Sequence, residues 1–172
     1  SDIDTSFSAI VAPYFQNLYS HPIVENKIFH DIIDENTIED SASSELKNIR
    51  KNQRKIITSI KDNLNHYIHS SSYAKFLQDH IITVRNDRFV IPVKQEYRNE
   101  IKGLIHDMSS TGSTVFIEPL SIFELNNELN RLKLEETTEI EKILQNLSSL
   151  FLPIIHELEN NIDLFGKIDF AF

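Results

Sequence analysis

The chain has 172 residues, 40% of them hydrophobic and 25% charged, enough for one domain with a core of its own or for a piece of something larger. Its 26 acidic residues against 17 basic ones give a formal net charge of −9, which excludes a general polyanion binder, because neutralising phosphates needs clustered Lys and Arg. Cysteine is absent, excluding disulfides and Cys-based metal sites, and the three glycines, Gly103, Gly112 and Gly166, lack the spacing of a phosphate-binding Walker loop.

No apolar run reaches the roughly 18 residues of a transmembrane helix. The opening stretch SDIDTSFSAI has neither the basic n-region nor the apolar h-region of a signal peptide, and it lacks an initiating Met. Together with the phenylalanines of the last residues, this is the pattern expected of a segment from inside a longer protein. A reducing, cytoplasmic setting fits the missing cysteines.

From Thr5 to Asn17, Phe7, Ile10, Val11, Tyr14 and Phe15 share one helical face, which Pro13 interrupts. The stretch from Ser20 to Ser43 reads as short helical turns and loops, with a turn at Asp34, Glu35 and Asn36. A long helix is expected from Ser44 to about His69. Leu46, Ile49, Ile56, Ile60, Leu64 and Tyr67 follow its 3-4 spacing, and Ser41, Ser43 and Ser44 offer N-cap hydroxyls. The period then changes. IITVR and RFVIPV flank Asn86-Asp87 as a hairpin, with Pro92 calling for an edge or a bulge. GLIHDMSS and STVFIEP flank Thr111-Gly112 as a second hairpin, for four antiparallel strands in all.

After Pro119 the helical period returns. Ser121 and Glu124 fit a capping box, and Leu120 and Leu125 a hydrophobic staple. Ile122, Leu125, Leu129 and Leu132 form a seam that breaks at Glu136 and Glu139 and resumes at Ile140, Ile143, Leu147, Leu150 and Ile154, as a stutter does. The helix is expected to run from Ser121 to about Glu159, roughly 40 residues or ~60 Å, with Pro153 as a kink. Such a length makes a lever or coiled-coil arm. The expected fold is therefore mainly α with a small antiparallel β-sheet. A four-stranded β-region is inserted between the two long helices of an antiparallel lever arm. The expected divisions are a helical core with the first lever helix at 1–80, β-hairpins at 81–120, and the return lever helix with a core helix at 121–172.

Four groups of residues could carry chemistry. His106 and Asp107 stand beside Ser109 and Ser110, the composition of a catalytic triad; but neighbours in a strand point to opposite faces, so the segment reads as a hairpin with polar edge residues. His66 and His69 have helical metal-ligand spacing without a third ligand nearby, and read as surface histidines. Glu135, Glu136, Glu139 and Glu141 read as a solvated acidic face or as partners for a basic helix. Lys47, Arg50, Lys51, Arg54 and Lys55 line one helical face, the chain's one concentration of positive charge. That stripe contacts a nucleic-acid backbone, pairs with the Glu-rich helix packed antiparallel to it, or is simply solvated.

The stretch DRFVIPVKQEYRNEIKGLIHDMSSTGSTVFIEPLSIFELNNELNRLKLEE resembles the central segment of the MutS-II family, MutS paralogues that usually end in a Smr nuclease domain. IEDSASSELKNIRKNQRKI is similar to that family's upstream block, and NIDLFGKIDFAF to the block after its lever. The likeness runs from about Ile28 to Phe172 and is most specific from Arg88 to Leu129. It implies a core and lever, or clamp, segment of a homodimeric ATPase that uses ATP and magnesium. It further implies that the parent acts on branched or mismatched DNA in recombination control, or on stalled ribosomes, away from any membrane. Neither the ATPase motifs nor a Smr match occurs in the chain. The resemblance therefore transfers no catalytic, cofactor-binding or metal residue.

Overall fold

A computed structural model describes residues 16–170; the helical face expected over Phe7–Phe15 lies outside them. The chain divides into two compact units, Ser43–Glu139 and the combination of 1–42 with 140–172. None of the helices among the described residues is long and apolar enough to cross a membrane.

In the second of these, α1 (Pro22–Asp31) starts on a proline, whose missing N–H costs nothing in a first turn. Two short strands follow, β1 (Ile32–Asp34) and β2 (Thr37–Ile38), paired antiparallel. The turn at Asp34–Asn36 forms as expected, with Asn36 N–H donating to Asp34 Oδ1 at 2.9 Å. Short helical turns and loops were expected here, without strands; three- and two-residue strands are too short to leave an alternating pattern. Asp31 is buried, held by Lys27 at 2.7 Å and His30 at 2.8 Å. Residues Asn17–His21 are tied to the last helix: Tyr19 exchanges two hydrogen bonds with Asn161, and His21 lies 2.9 Å from Glu157.

The unit Ser43–Glu139 begins with α2 (Ser44–His69), capped by the Ser43 hydroxyl, which accepts from Leu46 N–H. A single turn, α3 (Ser71–Ala74), leads to the sheet. The strands are β3 (Thr83–Arg85), β4 (Arg88–Lys94), β5 (Gly103–Met108) and β6 (Thr114–Pro119), antiparallel throughout in the order β3-β4-β6-β5. Asn86 and Asp87 turn with φ of 50° and 60°, the left-handed pair of a tight hairpin. Gly112 takes φ +72° in the second turn. Gly103 is required by proximity instead: a Cβ there would stand 2.2 Å from the Glu118 carbonyl oxygen.

Pro92 belongs to a central strand, not to an edge or a bulge. It pairs with Phe116 on the β6 side. Its carbonyl accepts from Gln78 on the other side, beyond the end of β3, so its missing N–H faces that irregular segment and costs the ladder nothing. The bulge falls in β5, at His106, between Ile105↔Ile117 and Asp107↔Phe116.

Ile60, Leu64 and Ile68 of α2 pack with Ile91, Val93, Val115 and Ile117 of the sheet, and with Ile122 and Leu129, in one buried cluster. Each such side chain contributes about 1.5–3 kcal/mol by leaving water. Ile68 completes the α2 seam in place of Tyr67, which is half-buried. After a 3-10 turn at Leu120–Ile122, α4 (Phe123–Ser149) starts. Ser121 lies inside that turn, 3.4 Å from Tyr67 Oη, and Leu120 is exposed, so the expected capping box and staple give way to the tighter turn. Its Ile143 and Leu147 are buried, as their place in the seam requires.

The long return helix forms and is bent where Pro153 was expected to kink it. α4 ends at Ser149, a 3-10 turn spans Leu152–Ile154, and α5 (Ile155–Phe170) follows. Ser149 is four residues before Pro153, whose ring excludes the preceding turn's carbonyl and has no N–H to bond it.

Candidate functional site

The basic stripe divides according to angle around α2. At about 100° per residue, Arg50 lies about 40° from Leu46 and Lys55 about 180° away. Leu46 is fully buried, so Arg50 sits at the rim of the packed face. There its Nε donates to Glu136 Oε1 on α4 at 2.7 Å, with both side chains about one-fifth exposed. Gln53 donates to the other oxygen of Glu136 at 2.7 Å and to the Leu132 carbonyl at 3.3 Å. About one turn along α4 from Glu136, Glu139 accepts from the Ser43 hydroxyl at 2.8 Å. Along α2 from Ser43 to Gln53, the partners on α4 descend from Glu139 to Leu132, so the helices run antiparallel. The glutamates that break the α4 seam face the polar positions of α2. Lys47, Lys51, Arg54 and Lys55 are exposed.

The triad residues point to different partners. His106 Nε2 lies 2.5 Å from Glu118 Oε2, whereas Asp107 meets Arg85 at 3.3 Å and accepts from Met108 N–H at 2.8 Å. Ser109 Oγ accepts from Thr114 N–H at 3.1 Å and closes the turn. The segment is a hairpin with polar edge residues. His66 contacts the rings of Tyr67 and Tyr73. Glu135 pairs with Arg131 along its own helix. Among the described residues, no three His, Asp or Glu side chains assemble as metal ligands.

Sequence reasoning missed a polar cluster inside the sheet's packing. Glu118 is fully buried. Its Oε1 accepts from Arg88 at 2.8 Å and Asn126 at 2.7 Å, and its Oε2 meets His106. Asn126, also buried, exchanges two 3.1 Å hydrogen bonds with the backbone of Phe89. Arg88 also reaches Asn127 at 2.5 Å, and Asn86 donates to the His106 carbonyl at 2.9 Å. One carboxylate thus joins β4, the bulge of β5, β6 and the first turns of α4. The available signal was a charge inside the apolar run VFIEP. With donors on both oxygens, Glu118 is fitted to hold elements together rather than to take a proton from a substrate.

No protein-family model matches the chain. Among curated proteins it is similar to Endonuclease MutS2 of Acetivibrio thermocellus, 46% identical over 170 residues. That match covers 99% of this chain and 21% of the relative. Endonuclease MutS2 of Clostridioides difficile is 46% identical over 163 residues, 95% of this chain and 21% of that protein. Endonuclease MutS2 of Alkaliphilus metalliredigens is 43% identical over 169 residues, 98% and 21% respectively. The chain spans about a fifth of the length of these relatives.

Proposed function

The chain belongs to the MutS2 (MutS-II) family, and from that premise we propose that it is a non-catalytic arm of a larger MutS2-type ATPase. Its paired helices carry motion between the ATPase and the DNA, or the stalled ribosome, on which the whole protein acts. The observation that supports this reading is the antiparallel pairing of α2 and α4 by Arg50, Gln53 and Ser43 on Glu136 and Glu139. A strut needs contacts that fix the register of two helices, and charge-assisted bonds do so more sharply than apolar packing. The test uses a full-length MutS2 protein containing this segment, homodimeric and supplied with ATP and magnesium. Leu132→Ala loosens the helix pair and is expected to leave basal ATP hydrolysis unchanged while lowering its stimulation by branched DNA. Basal and stimulated rates that change together remove the arm from the account.

One observation favours a second reading, direct contact with nucleic acid: Lys47, Lys51, Arg54 and Lys55 stand exposed on one side of α2. Changing the three lysines to Glu in the same full-length protein separates the two. DNA affinity falls if the stripe binds phosphates; it is unchanged if α2 is only a strut, whose contacts lie at Ser43, Arg50 and Gln53.

A further inference from the structure

We propose that a row of aromatic rings in the unit Ser43–Glu139 is a stacking platform for unpaired nucleobases, with Lys75 placed to meet the adjoining phosphate. The row begins with His66 and Tyr67 on the last turns of α2, continues through Tyr73 on α3 and Phe76, and ends at Tyr97. Its ring centroids are separated by 6.0 Å from His66 to Tyr67, 4.9 Å to Tyr73, 6.3 Å to Phe76 and 5.3 Å to Tyr97. Tyr67, Tyr73 and Tyr97 rest on the buried cluster, so their backs are anchored. His66 is exposed and the other four are half-buried; the rings meet edge-on or tilted, and Lys75 lies over the Phe76 ring.

Charge decides between the ligands such a strip could take. Lys75 Nζ stands 4.9 Å from the Phe76 centroid, and Lys94 Nζ donates to the Lys75 carbonyl at 3.1 Å, so two ammonium groups border the middle of the row. A proline-rich peptide has no use for them; a sugar-phosphate backbone does. The His66–Tyr67 end of the row opens on a cleft of about 350 Å³, and a second cleft of about 430 Å³ is lined by Lys94 and Gln95, just before Tyr97 in the chain. Asn63 lines the first and Gln78 the second, amides that can donate to or accept from a base edge. Asp62 and Glu96 sit in these same clefts, keeping the phosphates toward the middle. Base faces are available in single strands and closed in a duplex, so the site takes unpaired nucleotides. This site is separate from the basic stripe and does not depend on the strut reading.

The chain carries its own reporter: it has no tryptophan and five tyrosines, three of them in the row. The 172-residue chain is titrated with single-stranded oligothymidylate and with a mixed-sequence duplex while tyrosine emission is followed. The single strand is expected to quench the emission and the duplex to leave it unchanged. Tyr73→Leu is expected to weaken single-strand binding roughly tenfold at any salt, as loss of a stacking ring does. Lys75→Glu is expected to weaken it at low salt only. If Tyr73→Leu disturbs the fold, His66→Ala and Lys75→Glu, both at exposed positions, decide the matter. No quenching, equal quenching by duplex, quenching by a proline-rich peptide in place of the oligonucleotide, or binding that Lys47, Lys51 and Lys55→Glu abolish while the row variants leave it intact would each overturn the platform.

Discussion

Arg50 and Glu136 meet at 2.7 Å across two antiparallel helices, and the same carboxylate accepts from Gln53. One glutamate therefore answers two polar groups of α2 at the place where the apolar seam of α4 is broken.

That arrangement makes Glu136 worth more than an exposed ion pair. Glu136→Ala leaves Arg50 and Gln53 without this acceptor at a half-buried interface, and is expected to cost about 1–3 kcal/mol in urea unfolding. Glu135→Ala, whose partner Arg131 is on the same exposed helix face, is expected to cost less than about 1 kcal/mol. Equal losses for the two would show that the interhelix bonds add nothing.

Glu118 should be the most sensitive polar residue of the sheet. Glu118→Ala leaves Arg88 and Asn126 facing an empty pocket, and removing one member of a buried charge pair costs about 3–5 kcal/mol. Glu118→Gln keeps the shape but cannot accept on both oxygens, and is expected to fall between Ala and the parent. Thermal unfolding by circular dichroism measures the order; a Gln variant as stable as the parent would deny the charge any role.

Asp31 makes stability depend on pH. Burial pushes its carboxyl up, but hydrogen bonds and charges from Lys27 and His30 outweigh that and leave it below the ordinary value of 3.8. A group depressed in the folded state adds stability above its unfolded pKa and loses it as pH falls through the folded one. The stability difference between the parent and Asp31→Asn is therefore expected to be steady near pH 5 and to shrink below about pH 4. A difference that grows on acidification would reverse the sign.

Duplex DNA should bind the isolated chain weakly. The exposed cations of α2 can reach a few phosphates, but the net charge of −9 opposes them and salt screens both. Expected affinity at physiological salt is on the order of 10⁻⁴ M, and the residual binding at low salt should fall when Lys47, Lys51 and Lys55 become Glu. Sub-micromolar anisotropy binding at physiological salt would contradict the strut as the main role.

Local rules made much of the architecture legible. The 3-4 spacing of Leu46, Ile49, Ile60 and Leu64 identifies α2, and Ser43 its start, because a helix is specified by residues one turn apart. Asn86-Asp87 and Gly112 announce both turns of the sheet, because few residues tolerate positive φ. Pro153 marks the break after Ser149 for the same local reason. Other features needed the folded chain. Pro92 fits a central strand only because β3 ends before reaching it. The β1–β2 pair is too short to leave a period. His106 reads from the sequence as a polar edge residue of a hairpin, but only the bulge in β5 shows that it meets Glu118, which Arg88 of β4 and Asn126 of α4 also reach. Arg50 read as one of five equivalent cations; its partner lies 86 residues away. Periodicity says which face of a helix will be buried, but which charge waits on the opposing helix is decided only when packing sets the register between them.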